Sequence, residues 1–284
     1  MRKKSPKTLL TIAGYDPSSG AGITADLAVF ASQGCFGVSA ITALTVQSTL
    51  GVRRVAAVEG SLLEEMLHCL SEDLPIAGVK IGMLGTEENV LVVARFLQQR
   101  RAQKIPVPVV LDPVLRSTSG RELLSAKGMD AMHDRLLPLV DWVTPNRAEL
   151  EALTHSGAAT DEGVEQRSDE LRRAYPGVGV VVTGGDSGDA SQASDLLMDS
   201  AGEFAWLRGE KIQSKATHGT GCAFSSALLC GLADGLPAAA AARHAKEYVS
   251  GAIRHAPGLG GGRGPMNFDW ARTVIAEEDD QTKV

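Results

Sequence analysis

Short apolar runs rich in β-branched residues alternate with longer segments of helical periodicity over most of this chain. Ala77–Ile81, Val107–Leu111 and Val178–Thr183 are apolar almost throughout, which is typical of strands buried on both faces of a sheet. Glu87–Arg101 and Ala238–Ile253 have the length and periodicity of helices. Since neighbouring parallel strands are joined by crossovers that are usually helical, this alternation predicts an α/β fold, with a mostly parallel central sheet and helices on both faces.

The same patterns place the remaining elements and the limits of the domain. Further strands are predicted at Thr8–Ala13, Val38–Val46, Arg53–Glu59, Trp142–Thr144, Ser194–Met198 and Glu203–Leu207, and further helices from about Ile23 and at Leu62–Leu70, Met129–Leu137 and Asn146–Leu153. Gly51 permits a turn between two of these strands, which predicts a small β flap within about residues 14–60. We see no internal repeat and no linker, so residues 1–284 are predicted to form one domain with a loose tail over about 270–284.

Composition excludes several classes of partner. The net charge is −6, from 28 basic and 34 acidic residues, so no basic surface for nucleic acid or an anionic membrane is expected. The apolar run at residues 8–14 is too short for a signal peptide, and no run approaches the ~20 apolar residues of a membrane helix. The four cysteines lack the spacings of zinc sites and of disulfide frameworks. We therefore expect a cytoplasmic protein with reduced thiols.

The segment Thr217–Gly235 (THGTGCAFSSALLCGLADG) combines a loop of small residues with an apolar helix. Two glycines lack a Cβ, so the amides of Gly219, Thr220, Gly221 and Cys222 can converge on one point at the helix N-terminus. Unpaired amides and the helix dipole favour an anion there, which predicts a phosphate site. The alternative is that Gly-Thr-Gly only allows the helix to pack closely against a strand.

A second glycine-rich turn, residues 14–22 (GYDPSSGAG), follows the first predicted strand and leads into a helix. It resembles a dinucleotide-binding turn only loosely, because no acidic residue ends the second strand at the expected distance. We therefore interpret it as a flexible turn and predict no dinucleotide cofactor.

Polar residues follow several predicted strands directly. Asp112, Asn146, Glu149 and Thr183 stand at or just beyond strand ends, where open α/β sheets bind their ligands. Asp112 and Glu149 are candidates to hold Mg²⁺ through water, with Asn146 as a further oxygen donor. The alternatives are that Glu149 only stabilises a helix N-terminus and that Asp112, which precedes a proline, only shapes a turn.

Several other side chains allow two interpretations. The helix start is expected to lower the pKa of Cys222. The residue would then be a base, a nucleophile or a neutral lining of the anion site. The alternative is that Cys222 is a small buried hydrophobic residue. His218 either binds nucleotide or caps the loop, and we favour the second role. Lys80 and Lys246 have the positions to reach a phosphate, and Met83 to cover a flat ring, although solvated lysines and core methionines are commoner.

Six segments, taken together, carry a family resemblance. They are TIAGYDPSSGAGITADL (11–27), SAITALTVQST (39–49), KIGMLG (80–85), VLDPV (110–114), TPNRAELEAL (144–153) and THGTGCAFSSAL (217–228). Their order and spacing, from Thr11 to about Phe268, resemble the ribokinase-like superfamily and, within it, the hydroxymethylpyrimidine/phosphomethylpyrimidine kinases of thiamine biosynthesis. The resemblance implies phosphorylation by MgATP of the hydroxymethyl group of the pyrimidine, and then of its monophosphate to the diphosphate, in one active site.

The resemblance also implies roles in a substrate pocket. Gln47 would hydrogen-bond the aminopyrimidine, whose adjacent donor and acceptor groups suit an amide. Met83 would pack on the face of the ring, and Asp26 with Gly14 would line the same pocket.

For the phosphates, the resemblance implies that Gly219–Cys222 holds the transferred group, with Cys222 near the attacking hydroxyl. Mg²⁺ would be organised by Glu149 and Asn146, with Asp112 close to the phosphates and to the metal. The residues implied to border the nucleotide are Asp112, Asn146, Thr183, Gly185 and Lys246.

Two single positions and one loop depart from the family pattern. Tyr15 stands where the family usually has Ser, and Ser19 where Gly is common. Thr183–Asp186 (TGGD) replaces the frequent Lys-Gly-Gly-His, which puts the nucleotide contacts of that loop in doubt.

Other functions stay open at this level. A pyridoxine or pyridoxal kinase shares the anion loop, and a non-catalytic metabolite-binding protein is compatible with the altered TGGD loop. An ATP-independent hydrolase with Cys222 as nucleophile lacks a His/Asp pair placed to serve it. By analogy with the family, which commonly pairs through its flap strands, we expect a homodimer.

Overall fold

Nine strands form one sheet in residues 5–117, 120–157, 160–185 and 191–271, which the computed structural model describes. In chain order they are β1 (Thr8–Tyr15), β2 (Phe36–Ser48), β3 (Gly51–Ala57), β4 (Ile76–Ile81), β5 (Val109–Leu111), β6 (Trp142–Val143), β7 (Gly179–Val182), β8 (Asp195–Met198) and β9 (Phe204–Leu207). Their spatial order is β3-β2-β1-β4-β5-β6-β7-β8-β9. The strands from β2 to β7 in this order pair in parallel, whereas β3, β8 and β9 pair antiparallel at the two edges. The mostly parallel sheet predicted from the sequence is confirmed.

Helices cover both faces of the sheet. They are α1 (Gly22–Ser32), α2 (Gly60–Asp73), α3 (Glu87–Ala102), α4 (Ala126–Ala131), α5 (Arg147–Thr154), α6 (Asp161–Ala174), α7 (Thr220–Ala233) and α8 (Ala238–Arg254). Successive strand residues point to opposite faces, so Leu10 belongs to the core that includes buried residues of α2, α3, α5 and α6, and Leu9 belongs to the core that includes those of α1, α7 and α8. After α4 the chain continues as a π-helical turn, Met132–Leu136, and a 3₁₀ turn, Leu137–Leu139.

Helix α6 is absent from the sequence-based prediction. Most of its residues are charged or polar, and only Val164, Ser168 and Leu171 are buried, so its apolar stripe is too narrow to stand out. Its ends carry clearer signals: the side chain of Thr160 accepts a hydrogen bond from the Gly163 amide, and acidic and basic residues occupy the first and last turns.

Strand β2 has two halves with different partners. Phe36–Ile41 pairs with β1 in the central sheet, and Ala43–Ser48 pairs antiparallel with β3 as far as Gly51. The second half and β3 form a hairpin, whose tip residue Leu50 is 71% exposed. This hairpin is the predicted flap.

The strand order reverses at β1, because β2 and β3 are added on one side of it and β4 to β9 on the other. The carboxyl ends of β1, β4, β5, β6 and β7 therefore face one crevice beside the flap, the usual ligand position in such folds. Among the described residues, none of the helices is both long enough and apolar enough to cross a membrane.

Candidate active site

A cavity of about 190 Å³ lies at the carboxyl ends of the central strands, beneath the flap. It brings together most of the site residues that the sequence singles out. Those that line it are Gly14, Gln47, Met83, Asp112, Asn146, Glu149, Thr183, Gly219, Thr220, Gly221 and Cys222. We call this the substrate-side cavity.

A second, larger cavity of about 790 Å³ adjoins the first. Its lining includes Thr183, Gly185 and Lys246, the predicted nucleotide contacts that lie furthest from Gln47 in the sequence. Five residues line both cavities: Thr183, Thr217, Thr220, Gly221 and Arg263. The start of α7 therefore stands at the boundary between a small and a large binding space.

The loop that starts α7 has the geometry of an anion site. Gly219 is the N-cap residue with φ +79° and ψ +16°, in the left-handed region that favours glycine. A Cβ on Gly219 would overlap the carbonyl oxygen of Gly20. No side chain of the described residues caps the start of α7. The amides of its first turn therefore point toward the shared wall of the two cavities without a side-chain partner.

The turn at residues 14–22 is held by Asp16, so its interpretation as a flexible segment is wrong. Asp16 Oδ1 accepts hydrogen bonds from the Ser18 amide at 2.9 Å and the Ser18 hydroxyl at 2.7 Å, and Oδ2 accepts from the Ala21 amide at 3.0 Å. Burial acts to raise the pKa of Asp16, but hydrogen bonds from His218 and Ser18 hold it below its usual value. Sequence reasoning missed this residue, although an Asp before Pro in a glycine-rich turn is a known turn organiser.

Ser19, one of the departures from the family pattern, lies in this turn. Its φ is +58°, a conformation that glycine adopts without strain. The family's frequent glycine at this position therefore has a backbone reason. The other departure nearby, Tyr15, ends β1 and lines the substrate-side cavity.

His218 links the turn to the flap. Its Nε2 lies 2.7 Å from Asp16 Oδ2 and 2.9 Å from Gln47 Nε2. Gln47 stands on β2 in the flap, and its Oε1 also accepts from the Thr45 hydroxyl at 3.4 Å. His218 is 9% exposed and lines the same cavity. A connecting structural role, which we favoured from the sequence, agrees with these contacts.

Asp26 does not line the cavity, contrary to its predicted place beside Gly14. Its carboxylate is fully buried behind the wall and accepts hydrogen bonds from Thr11 Oγ1 at 2.6 Å, Lys80 Nζ at 3.0 Å and Ser226 Oγ at 2.8 Å. A carboxylate buried to this extent needs a cation and several donors, which β1, β4 and α7 supply. Asp26 therefore supports the wall of the site from behind.

Lys80 also lies behind the wall and not in the phosphate space. Its Nζ is 3.0 Å from Asp26 Oδ2 and 3.9 Å from Asp112 Oδ2, and the side chain is fully buried. Burial alone would lower the pKa of Lys80, but the charges of Asp26, Cys222 and Asp112 raise it above its usual value. The ammonium group is a fixed positive charge beneath the anion loop.

The expectation of a lowered pKa for Cys222 is wrong. Although Cys222 retains partial exposure, burial raises the pKa of its thiol to about 12, and the carboxylates of Asp112 and Asp26 act in the same direction. Lys80 and a hydrogen bond from the Gly22 amide oppose this shift without cancelling it. Burial likewise raises the pKa of Asp112, against the attraction of Lys80. The sequence shows that Cys222 stands at a helix start, but it does not show the burial and the neighbouring carboxylates that raise the pKa.

Asn146 and Glu149 form a reciprocal capping box at the start of α5. The Glu149 amide donates to Asn146 Oδ1 and the Asn146 amide donates to Glu149 Oε2, each at 2.9 Å. The helix-stabilising alternative for Glu149 is therefore present, and both residues also line the substrate-side cavity. In the described part of the chain, no group of three or more His, Cys, Asp or Glu side chains is arranged to hold a metal ion.

Lys246 is engaged at the wall of the larger cavity. Its Nζ donates to Ala193 O and to Asp195 Oδ2, both at 2.8 Å. Gly185 lines the same cavity at the end of a described segment. Asp186, the last residue of the altered TGGD loop, and residues 272–284 of the predicted tail lie outside the described residues.

Comparison with known proteins assigns this chain to a family. Residues 16–267 match the family model described as phosphomethylpyrimidine kinase. The chain belongs to the phosphomethylpyrimidine kinase family. Among its relatives is the hydroxymethylpyrimidine/phosphomethylpyrimidine kinase of Haemophilus influenzae, which is 39% identical over 267 residues that cover 93% of this chain and 97% of that protein.

Solved structures share the fold of this family member. A phosphomethylpyrimidine kinase from Clostridium difficile superimposes with a TM-score of 0.74 at 32% identity, over 87% of this chain and 99% of that one. The pyridoxal kinase from Staphylococcus aureus in complex with ADP gives a TM-score of 0.85 at 29% identity, over 95% and 96% of the two chains. The ribokinase-like fold and the phosphotransferase class predicted from the sequence are confirmed.

Proposed function

We propose that this phosphotransferase transfers the γ-phosphoryl group of ATP to the hydroxymethyl group of 4-amino-5-hydroxymethyl-2-methylpyrimidine, and then phosphorylates the monophosphate to the diphosphate for thiamine biosynthesis. The observation that carries the proposal is the meeting of a small and a large cavity at the amide loop that starts α7. Two substrates bound on either side of such a loop are aligned for transfer, and alignment is the main requirement of phosphoryl transfer.

The small cavity suits the pyrimidine. Gln47 reaches it from the flap, and its amide offers a donor and an acceptor to the adjacent amino group and ring nitrogen. Met83 supplies a polarisable apolar surface for the face of the ring, with Gly14 beside it. The larger cavity, lined by Thr183, Gly185 and Lys246 among others, has room for ATP.

In the reaction, the hydroxymethyl oxygen forms a bond to the γ-phosphorus, and the bond from that phosphorus to the β,γ-bridging oxygen breaks, so that ADP leaves with the electron pair. The amides of Gly219–Cys222 stabilise the charge on the moving group. Asp112 and Glu149 would hold Mg²⁺ through water, and the ion would supply further neutralisation of the phosphate charge. Cys222 lies beside the attacking hydroxyl and accepts its proton in the thiolate form, which is the minor form near neutral pH because burial raises the pKa of the thiol to about 12.

A substrate panel tests the proposal. The purified protein is incubated with MgATP and, separately, hydroxymethylpyrimidine, its monophosphate or pyridoxal, and ADP release is measured. We expect turnover with both pyrimidines. Turnover with pyridoxal alone would instead establish the pyridoxal kinase, which the TM-score of 0.85 to such an enzyme makes the second candidate. No turnover with any of the three would favour a metabolite-binding protein.

Replacement of Gln47 tests the ring pocket. Gln47→Ala is expected to raise KM for the pyrimidine by about tenfold or more, because two hydrogen bonds to the ring are lost, while KM for ATP stays unchanged. Steady-state kinetics with each substrate varied in turn measures the split. Gln103→Ala, an exposed glutamine after α3, is the matched control. An equal rise in both constants would remove Gln47 from the ring pocket.

Replacement of Cys222 tests the proton acceptor. Cys222→Ala is expected to lower kcat about 100-fold, which is at the lower end of general-base contributions, with little change in pyrimidine affinity. Equilibrium binding and single-turnover rates separate the two effects. Cys69→Ala removes an exposed thiol on α2 and is the matched control. An unchanged kcat in Cys222→Ala would exclude Cys222 as the base.

The flap also carries an exposed apolar surface. Leu44 and Val46 on β2 are 51% and 53% exposed, on the face opposite to Thr45 and Gln47. Such a surface suits a second copy of the chain, and we include a homodimer that pairs through the flap in the proposal. Light scattering of the wild type and of Val46→Lys measures the mass. A monomeric wild type would contradict the proposed homodimer.

The four cysteines are free thiols, which agrees with the proposed cytoplasmic location.

A further inference from the structure

The segment 258–265 forms hydrogen bonds both to the flap and to the loop segment that precedes the anion loop. The Arg263 amide donates to Thr49 O at the flap tip, and the Gly264 amide donates to Lys215 O, both at 3.0 Å. A Cβ on Gly262 would overlap the carbonyl oxygen of Thr49, so only glycine permits this approach. The backbone of Arg263 is therefore held between the flap and the segment that precedes α7.

Arg263 stands where the two cavities meet. Of the five residues that line both cavities, it is the one with a charged side chain, and the others are threonines and a glycine. Among the other cations, Lys80 pairs with Asp26 and Lys246 pairs with Asp195. Arg116 lines only the substrate-side cavity, and Lys215 lines only the larger cavity. Within the described residues, the guanidinium of Arg263 has neither an ion pair nor a hydrogen bond, so it is available to a ligand.

We propose that Arg263 is a catalytic residue that binds the phosphoryl group as it passes from the nucleotide to the acceptor. In phosphoryl transfer, negative charge is spread over three equatorial oxygens, and the planar fork of a guanidinium fits two oxygens at once. The amides of the anion loop donate from one wall, and Arg263 donates from the segment that crosses the opening. This inference rests on the proposed kinase function and adds a cationic donor to it.

The proposed role gives a reason for the fixed backbone of Arg263. A long side chain stabilises a transition state well only when its anchor does not move during the reaction. The hydrogen bonds of Arg263 and Gly264 supply that anchor from two sides, the flap and residue Lys215. The backbone of Arg263 is thus hydrogen-bonded to the same flap that carries Gln47, which leaves the guanidinium free to meet a phosphate.

The experiment compares Arg263→Gln and Arg263→Lys with the wild type in each phosphorylation separately. We expect Arg263→Gln to lower kcat about 100-fold in both steps, with KM for the pyrimidine unchanged, and Arg263→Lys to recover part of the loss because it keeps the charge but not the fork. Calorimetry should show weaker binding of a non-hydrolysable ATP analogue and unchanged binding of ADP, since only the γ-phosphate reaches Arg263. Arg254→Gln, at the end of α8 and outside both cavities, is the matched control.

Several results would overturn the inference. An unchanged kcat in Arg263→Gln would do so, as would an equal loss in Arg254→Gln, which would indicate a general effect of charge. A loss confined to the second step would assign Arg263 to the phosphate of the monophosphate substrate instead. If the wild type turns over none of the pyrimidines, the proposed function fails, and the comparison of the ATP analogue with ADP still tests the phosphate contact. Thermal unfolding of each variant verifies that the fold is retained.

Discussion

Gly219→Ala is expected to lower kcat by about 100- to 1000-fold, the range for losing donors aimed at a transition-state charge. Two effects combine at this position. The backbone has φ +79°, which a residue with a Cβ adopts only with strain, and the added Cβ would overlap the carbonyl oxygen of Gly20. The start of α7 and the turn at residues 14–22 must then move apart, and the amides of the anion loop lose their alignment.

Gly235→Ala is the matched control for this variant. Gly235 follows the other end of α7 with φ +85°, and a Cβ there meets no atom within 4 Å. This variant has the strain without the overlap and lies outside both cavities, so we expect a loss of about 1 kcal/mol in stability and an unchanged kcat. Single-turnover rates and thermal unfolding of both variants distinguish the effects. Full activity in Gly219→Ala would show that the loop does not hold the transferred group.

Lys80→Met is expected to lower the free energy of unfolding by about 3–5 kcal/mol, the range for removing one partner of a buried ion pair. Lys80 and Asp26 have fully buried side chains 3.0 Å apart, and Asp112 lies 3.9 Å from the same ammonium. Without the cation, two buried carboxylates face each other's charge in a medium that screens it poorly. Urea denaturation followed by far-ultraviolet circular dichroism measures the change.

The double variant Lys80→Met/Asp26→Asn separates charge from packing. The side-chain amide that replaces the carboxylate of Asp26 can still bond Thr11 and Ser226, so we expect the double variant to recover a large part of the stability that the single variant loses. Lys127→Met, an exposed lysine of α4, should change stability by less than about 0.5 kcal/mol. A loss below about 1 kcal/mol in Lys80→Met itself would mean that the pair is no stronger than a surface salt bridge.

The cluster of Asp26, Lys80 and Asp112 gives the wall of the site an electrostatic function. The Lys80 ammonium offsets the charge of the neighbouring carboxylates, which would otherwise repel a phosphate at the anion loop. Burial, together with the same carboxylates, raises the pKa of the neighbouring Cys222 thiol to about 12. Because only the thiolate can accept the hydroxyl proton, the proposed role of Cys222 as base predicts that kcat rises as the pH rises toward that pKa.

The sequence by itself determined the layered α/β architecture, the flap and the loop that starts α7. These follow from patterns within short windows: buried strands alternating with helices, a glycine between two strands, and small residues before an apolar helix. Helix α6 was not predicted, because few of its side chains are buried and its apolar periodicity is therefore weak. The resemblance of six motifs pointed to a kinase family, and the family comparison confirmed that family.

Only the tertiary structure decided which polar residues face the cavity and how strongly they are charged. Asp26 and Ser226 are 200 residues apart in the chain, yet they share a hydrogen bond behind the site, and Lys80 joins them from a third element. Burial and Coulomb interactions depend on all neighbours in space, whereas propensity depends on neighbours in sequence. For that reason the lowered pKa expected for Cys222 was wrong, and the shared position of Arg263 became visible only when segments far apart in sequence were brought to one boundary.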